Sequence, residues 1–137
     1  MAAEYVTRNT SDAAISRLEF EDLDAGNTSD TKTVRFYNAG TTASTTLEIG
    51  CITVTQCLTG DRNSQGQELV TEQWLQARTG AGAFTPIGGN PLTGANVLSV
   101  TPPNEGAYID IDFKAVIPAG AATRGGVLFF PLALYKP

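Results

Sequence analysis

The chain of 137 residues, with 42% hydrophobic and 17% charged residues, suits one folded domain with a core and is too short for two comfortable ones. Its net charge of -5 lies entirely within residues 1–31, so the remainder offers no basic stripe to neutralise phosphates, and nucleic-acid binding is disfavoured. The longest apolar run is far shorter than the roughly 20 residues of a bilayer span, and the N-terminus lacks a secretory pattern, so we expect a soluble protein without membrane contact that folds in a cytoplasm.

The predicted elements begin with an N-terminal arm over residues 1–14, which are small and polar and show neither a helical nor a strand period. We expect this arm to become ordered only against a partner, ahead of a single domain over residues 15–137. Within that domain, short apolar segments alternate with turn clusters rich in Gly, Asn and Asp. They predict strands over residues 16–22, 33–38, 45–55, 68–78, 83–87, 97–100, 108–114 and 125–136.

Three of these strands carry a more specific signal. In the strand over 45–55, a β-bulge near Gly50 would return the apolar residues on either side of it to one face of the strand. The strand over 68–78 contains Trp74, which we expect to anchor the core. The strand over 108–114 alternates cleanly between apolar residues, predicted to point inward, and charged residues, predicted to point outward: Ile109, Ile111 and Phe113 against Asp110, Asp112 and Lys114.

The last predicted strand, over 125–136, is apolar on both faces, whereas a strand with one face in water should alternate. We expect one face to meet the core and the other to meet another chain, with the N-terminal segment of the same chain as the alternative cover. Pro131 has no N–H to give to a neighbouring strand, which indicates an edge strand. The residues that we predict at an interface between chains are Phe129, Phe130, Leu132, Leu134 and Tyr135.

Many short strands with frequent turn signals, and no helices between them, predict an all-β protein. The architecture that fits best is an antiparallel, immunoglobulin-like β-sandwich with an extended N-terminal arm, and a jelly roll is the alternative. Cys51 and Cys57 do not supply the inter-sheet disulfide of antibody domains. A continuous strand would hold their Cα atoms beyond the about 7 Å that a disulfide tolerates, so we expect two reduced thiols.

Candidate catalytic and metal-binding groups are few. The chain has no His, which excludes any triad with imidazole as the base and leaves only two thiols for a metal. Asp110 and Asp112 share one strand face at about 7 Å, close to the spacing of some glycosidase carboxyl pairs, but a solvated outer face is the favoured interpretation. The turn from Asp22 to Asp30 offers oxygen ligands without EF-hand spacing, so we expect a hydrogen-bonded turn. We therefore predict no catalytic residue, no metal and no cofactor.

Three stretches of the sequence together resemble a known family. They are residues 25–40, which end in Asn38-Ala39-Gly40, residues 72–89, which contain Trp74, and residues 116–121, just before the last strand. The set is similar to small immunoglobulin-like structural proteins of tailed bacteriophage particles, found in tail or baseplate parts and as capsid decoration. This resemblance implies a non-enzymatic virion component that assembles in the host cytoplasm, forms a homo-oligomer and contacts other capsid or tail proteins.

Two other functions are weighed against the virion component. One is a cellular or surface adhesion module that binds carbohydrate or protein, and the other is a small hydrolase. A carbohydrate binder is expected to expose aromatic rings beside polar groups, and the four tyrosines are too scattered along the sequence to predict this: Tyr5, Tyr37, Tyr108 and Tyr135. The hydrolase lacks a convincing base, and an adhesion module would need a secretion signal or a longer parent chain.

Overall fold

The computed structural model of the protein describes residues 3–15, 18–23, 26–44, 46–50, 54–57, 73–88, 97–119, 125–129 and 132–136. In these ranges the chain forms eleven β-strands and no helix, so the predicted all-β class is confirmed. The strands are β1 (Tyr5–Arg8), β2 (Leu18–Leu23), β3 (Lys32–Asn38), β4 (Thr46–Gly50), β5 (Val54–Cys57), β6 (Leu75–Thr79), β7 (Thr85–Pro86), β8 (Leu98–Val100), β9 (Tyr108–Ala115), β10 (Gly125–Phe129) and β11 (Leu132–Lys136). The same ranges contain no helix of a length and hydrophobicity that would cross a membrane.

The strands pair antiparallel in three sheets. The largest has five strands in the order β1-β3-β9-β6-β7, and the two smaller sheets have the orders β2-β10-β5 and β11-β4-β8. The smaller sheets share two stretches of chain, because β5 follows β4 and β11 follows β10. Along these two stretches, Phe129 lies opposite Val54 in one sheet, and Leu132 lies opposite Gly50 in the other.

One hydrophobic core joins the five-stranded sheet to the sheet of β11, β4 and β8. Strands β3 and β9 alternate between buried and less buried residues, and their buried faces include the fully buried rings of Phe36 and Phe113. Leu47 and Ile49 of β4 join the same core cluster, and the apolar residues of β8 pack against it. Two sheet layers with a shared apolar interior give the molecule its β-sandwich character.

The predicted inward and outward faces of β9 are confirmed. Ile111 and Phe113 are fully buried, and Ile109 is partly buried and packs against the core cluster. Trp74, directly before β6, is also partly buried against this cluster, which agrees with its predicted place in the core. The strands predicted over 68–78 and 83–87 are present as the antiparallel pair β6 and β7, although β6 begins only at Leu75 and residues 58–72 lie outside the described ranges.

Two predicted strands are wrong as single elements. The segment 45–55 contains β4 and β5, and the segment 125–136 contains β10 and β11, and in each case the two strands belong to different sheets. The physical reason is that an apolar sequence predicts a strand but does not mark the point at which a chain passes from one sheet to the next. Gly50 is the last residue of β4, and the bulge predicted near it borders residues 51–53, which lie outside the described ranges, so it stays a prediction.

The prediction of an arm without strand structure over 1–14 is also corrected. Tyr5–Arg8 form β1 at one edge of the five-stranded sheet, paired with β3. Beyond β1 the chain turns back, so that Ile15 donates its N–H to the carbonyl of Thr7 and the Thr7 hydroxyl donates to the carbonyl of Ile15. Docking of this segment on a partner stays a prediction.

A tight turn before β9 requires a glycine. Ala107 donates its N–H to the carbonyl of Asn104 at 2.9 Å, and Gly106 between them has a φ of 74°, the geometry of a type II turn with glycine in the third position. Gly106 also donates its N–H to the carbonyl of Asn38 at 3.0 Å. The turn thereby fixes the start of β9 beside the end of β3.

Replacing Gly106 by Ala is expected to lower the free energy of unfolding by about 1 to 2 kcal/mol, because a side chain is strained at this positive φ. Urea unfolding followed by circular dichroism measures the change. Glu105→Ala in the same turn is the matched control, and as an exposed substitution it should stay within about 0.5 kcal/mol of the parent protein. Equal effects of the two substitutions would contradict the assigned turn.

Candidate functional site

The outer face of the five-stranded sheet collects the polar and aromatic residues of its central strands. Because β3 and β9 alternate and pair antiparallel, residues opposite each other project from the same face of the sheet. The register places Tyr37 opposite Tyr108 and Arg35 opposite Asp110. One row further, Asp112 lies opposite both Thr33 of β3 and Arg78 of β6.

Hydrogen bonds and ion pairs join these rows. Arg35 donates from Nε to one oxygen of Asp110 at 2.9 Å and from Nη2 to the other at 3.3 Å, and from Nη1 to Asp12 at 3.0 Å. Asp110 and Asp12 hold the pKa of Arg35 above its ordinary value, so the guanidinium stays charged. Asp112 accepts from Thr33 at 2.6 Å and from Arg78 at 3.1 Å.

Cations also stack on aromatic rings of this face. The guanidinium of Arg8 lies 4.1 Å from the ring centroid of Tyr37, and that of Arg35 lies 3.7 Å from the ring centroid of Tyr108. These distances are well inside the range of cation–π attraction. We call Tyr37 and Tyr108 the tyrosine pair.

A second cation–π cluster lies further along the sheet. The ring of Phe84 receives Arg78 at 4.4 Å and Lys114 at 4.1 Å. Along β9, Asp110 and Asp112 lie between Tyr108 of the tyrosine pair and Lys114 of this second cluster.

The N-terminal segment supplies two of the residues around the tyrosine pair. Strand β1 places Arg8 opposite Arg35 of β3, and the loop that follows brings Asp12 back over it. Asn9 shapes this loop, because its side-chain oxygen accepts the N–H groups of Ser11 at 2.9 Å and Ala13 at 3.0 Å. Asp12 itself has a φ of 64°, a conformation that Asp tolerates better than most residues.

The sheet end nearest the tyrosine pair is fixed by the buried side chain of Asn38. Its oxygen accepts the N–H of Gly40 at 2.9 Å and that of Glu4 at 3.3 Å, and its amide nitrogen donates to the carbonyls of Thr42 at 2.8 Å and Pro103 at 3.1 Å. One side chain thus joins three separate segments of the chain.

At the opposite end of the sheet, hydrogen bonds join residues of the three stretches 25–40, 72–89 and 116–121. Ser29 donates its N–H to the carbonyl of Ala115 and accepts the N–H of Ala115 on its hydroxyl, both at 2.8 Å. Gly26 donates its N–H to the carbonyl of Ile117 at 2.9 Å, and Val116 donates to the carbonyl of Trp74 at 2.8 Å. Residues of these three stretches therefore connect separate chain segments at the two ends of the five-stranded sheet.

Comparison with protein-family models, with curated proteins and with solved structures returns no match.

The four tyrosines were described from the sequence as too scattered to form an aromatic surface, and the strand register brings two of them together. Tyr37 and Tyr108 are scattered along the chain but lie side by side on the sheet. The carboxyl groups of Asp110 and Asp112, weighed as a catalytic pair, bind different arginines. In the described part of the chain, no three His, Cys, Asp or Glu residues are grouped as metal ligands.

The predicted interface residues are placed by the backbone of the last two strands. Phe129 ends β10, a central strand with β2 and β5 as neighbours, whereas Leu132, Leu134 and Tyr135 lie in β11 at the edge of its sheet. Phe130 and Cys51 lie outside the described ranges. Asp24, in the turn predicted between Asp22 and Asp30, also lies outside them. A contact between chains at these residues stays a prediction.

Proposed function

We propose that the protein is a non-enzymatic, immunoglobulin-like structural component of a tailed bacteriophage particle, in a tail or baseplate part or as capsid decoration. The observation that carries the proposal is the place of β11. This strand, with the sequence Leu132-Ala133-Leu134-Tyr135-Lys136, pairs with β4 and has no second neighbour among the described strands. An apolar strand at a sheet edge is the element that another chain joins by adding a strand of its own.

The N-terminal segment gives the proposal a second edge. Strand β1 is the last strand on one side of the five-stranded sheet, and residues 13–15 fold back along its second half. The folded N-terminal segment is therefore a second candidate contact within a particle. The partners would be further copies of the chain and other capsid or tail proteins. Assembly would take place in the host cytoplasm, where the two cysteines stay reduced.

The polar groups of the described outer face also fit a structural role. Asp110 and Asp112, the carboxyl pair that a hydrolase would use, are bound by Arg35 and Arg78. The hydrogen bonds of Asn38 join segments of the chain to one another. These interactions stabilise the sheet, and stability is what a multi-copy particle component requires.

Light scattering of the purified chain across a dilution series tests the proposal. A defined oligomer, or growth into larger assemblies, is the expected result. A protein that stays strictly monomeric at every concentration would contradict self-assembly and favour an adhesion module.

Two neighbouring substitutions test whether β11 is the contact. Successive residues of a strand direct their N–H groups alternately toward and away from the neighbouring strand, so Ala133→Pro and Leu134→Pro remove one N–H of each kind. One variant should lose stability through the ladder with β4. The other should stay folded, with an unfolding midpoint near that of the parent protein, and fail to assemble. If the variant that stays folded assembled like the parent protein, the β11 edge would not be the contact.

A further inference from the structure

Tyr108 differs from every other large hydrophobic side chain that the structure describes, because it alone is exposed, with 49% of its surface accessible. Tyr37 lies directly opposite it on the neighbouring strand. Side chains in such a cross-strand pair start about 5 Å apart. Two aromatic rings therefore stand side by side on a sheet face that water reaches.

The tyrosine pair is held in place before any ligand arrives. Arg8 stacks on Tyr37 and Arg35 stacks on Tyr108. Arg35 is itself fixed by two hydrogen bonds to Asp110 and one to Asp12. A ligand that stacks on these rings would not have to order them first, which lowers the entropic cost of binding.

The charge around the pair identifies the class of ligand. Arg8 and Arg35 are matched in number by Asp12 and Asp110, so the patch carries no excess charge that would select a phosphate or a cation. It does carry hydrogen-bonding capacity, because the Asp110 side chain is 35% exposed and a carboxylate accepts more bonds than the two from Arg35. The patch thus combines apolar ring surface with polar groups and is electrically neutral.

A sugar ring has the complementary chemistry. In a β-1,4-linked chain of gluco-configured pyranoses, the ring substituents are equatorial, so each ring presents a flat C–H face that can stack on a tyrosine and hydroxyl groups that can bond to a carboxylate or guanidinium. The Cβ atoms of such a cross-strand pair are about 5 Å apart, so one oligosaccharide can contact both tyrosines. We propose that Tyr37 and Tyr108 form a binding platform for a neutral β-1,4-linked carbohydrate chain, a binding activity beyond the structural role proposed above.

Titration of the ¹⁵N-labelled full chain with cellohexaose and with chitohexaose, followed by two-dimensional NMR, tests this platform. Maltohexaose, whose α-linkages curve the chain, is the comparison sugar. We expect saturating shifts of amides in β3 and β9 around the tyrosine pair with at least one β-linked sugar, and a weaker response to maltohexaose. Tyr108→Ala should weaken binding by about tenfold or more, equivalent to about 1.4 kcal/mol, whereas Tyr108→Phe keeps the ring and should bind within a few-fold of the parent protein.

Phe84→Ala is the matched control, because it removes an aromatic ring stacked by cations on the same sheet face but outside the tyrosine pair. It should bind the sugar like the parent protein. The proposal is overturned if neither β-linked sugar gives saturating shifts, or if folded Tyr108→Ala binds as tightly as the parent. It is equally overturned if sugar binding is absent and Tyr108→Ala changes the mass in light scattering, since the face would then be a protein contact. Because sugar binding is measured on the chain alone, its failure leaves the virion proposal standing, and the converse also holds.

Discussion

Replacing Asn38 by Ala is expected to lower the free energy of unfolding by about 3 kcal/mol, since each buried group that loses its partner costs about 1 to 3 kcal/mol. The substitution removes all four hydrogen bonds of the side chain. The N–H of Gly40, which the Asn38 oxygen accepts, belongs to a buried residue. Urea unfolding of the variant and the parent protein gives the difference. An effect no larger than that of Asn104→Ala, an exposed Asn of the nearby turn, would contradict the role of Asn38.

Asn38→Asp separates the donor from the acceptor function of this side chain. The carboxylate keeps an acceptor for Gly40 but turns its second oxygen toward the carbonyls of Thr42 and Pro103, which the Asn38 amide serves as a donor. Burial and these carbonyls should raise the pKa of the new carboxyl group in the folded state, because only the protonated form can donate. A folded-state pKa above the unfolded value means that stability is gained as pH falls. We therefore expect unfolding at mildly acid pH to show a partial recovery that Asn38→Ala lacks.

Local patterns predicted most of the five-stranded sheet. Strand β9 alternates over its whole length because one face meets the core and the other meets water, and a period of two in the sequence reports that difference directly. Strand β3 has the same pattern. The placement of β4 and β5, and of β10 and β11, in different sheets was missed, because residues on either side of a change of sheet can all be apolar.

Strand β1 was missed for a different reason. Tyr5, Val6 and Thr7 are all strand formers, and Asn9 followed by Ser11 and Asp12 is a turn signal. These cues were present, but four residues are too few for a period to stand out from the polar segment around them. The strand is stabilised by its register with β3, which is a tertiary effect.

The tyrosine pair could not be predicted from the sequence alone. Tyr37 and Tyr108 meet because β3 pairs with β9 in one register, and a shift by one residue would put the two rings on opposite faces. The strands themselves were predicted, but nothing in either strand states which other strand it joins. Sequence patterns thus identified the candidate side chains, and only the pairing of the strands brought them together.

The two faces of the same sheet should respond very differently to the loss of an aromatic ring. Phe113→Ala is expected to lower the free energy of unfolding by about 4 kcal/mol, because the ring is fully buried and its removal leaves a cavity. Phe84→Ala should cost about 1 kcal/mol, because this ring is only partly buried and loses mainly its contacts with two cations. Calorimetric or urea unfolding of both variants gives the comparison.

Phe113→Leu completes the comparison, since a leucine fills much of the space and should recover at least half of the loss caused by Ala. Ring removal at Phe113 acts on the core that β3, β6 and β9 share with Leu47 and Ile49 of β4. A similar loss for Phe84→Ala and Phe113→Ala would mean that both faces of the five-stranded sheet are covered. The outer face would then be a layer boundary rather than an accessible surface, and the two-layer sandwich and the exposed tyrosine pair would both be wrong.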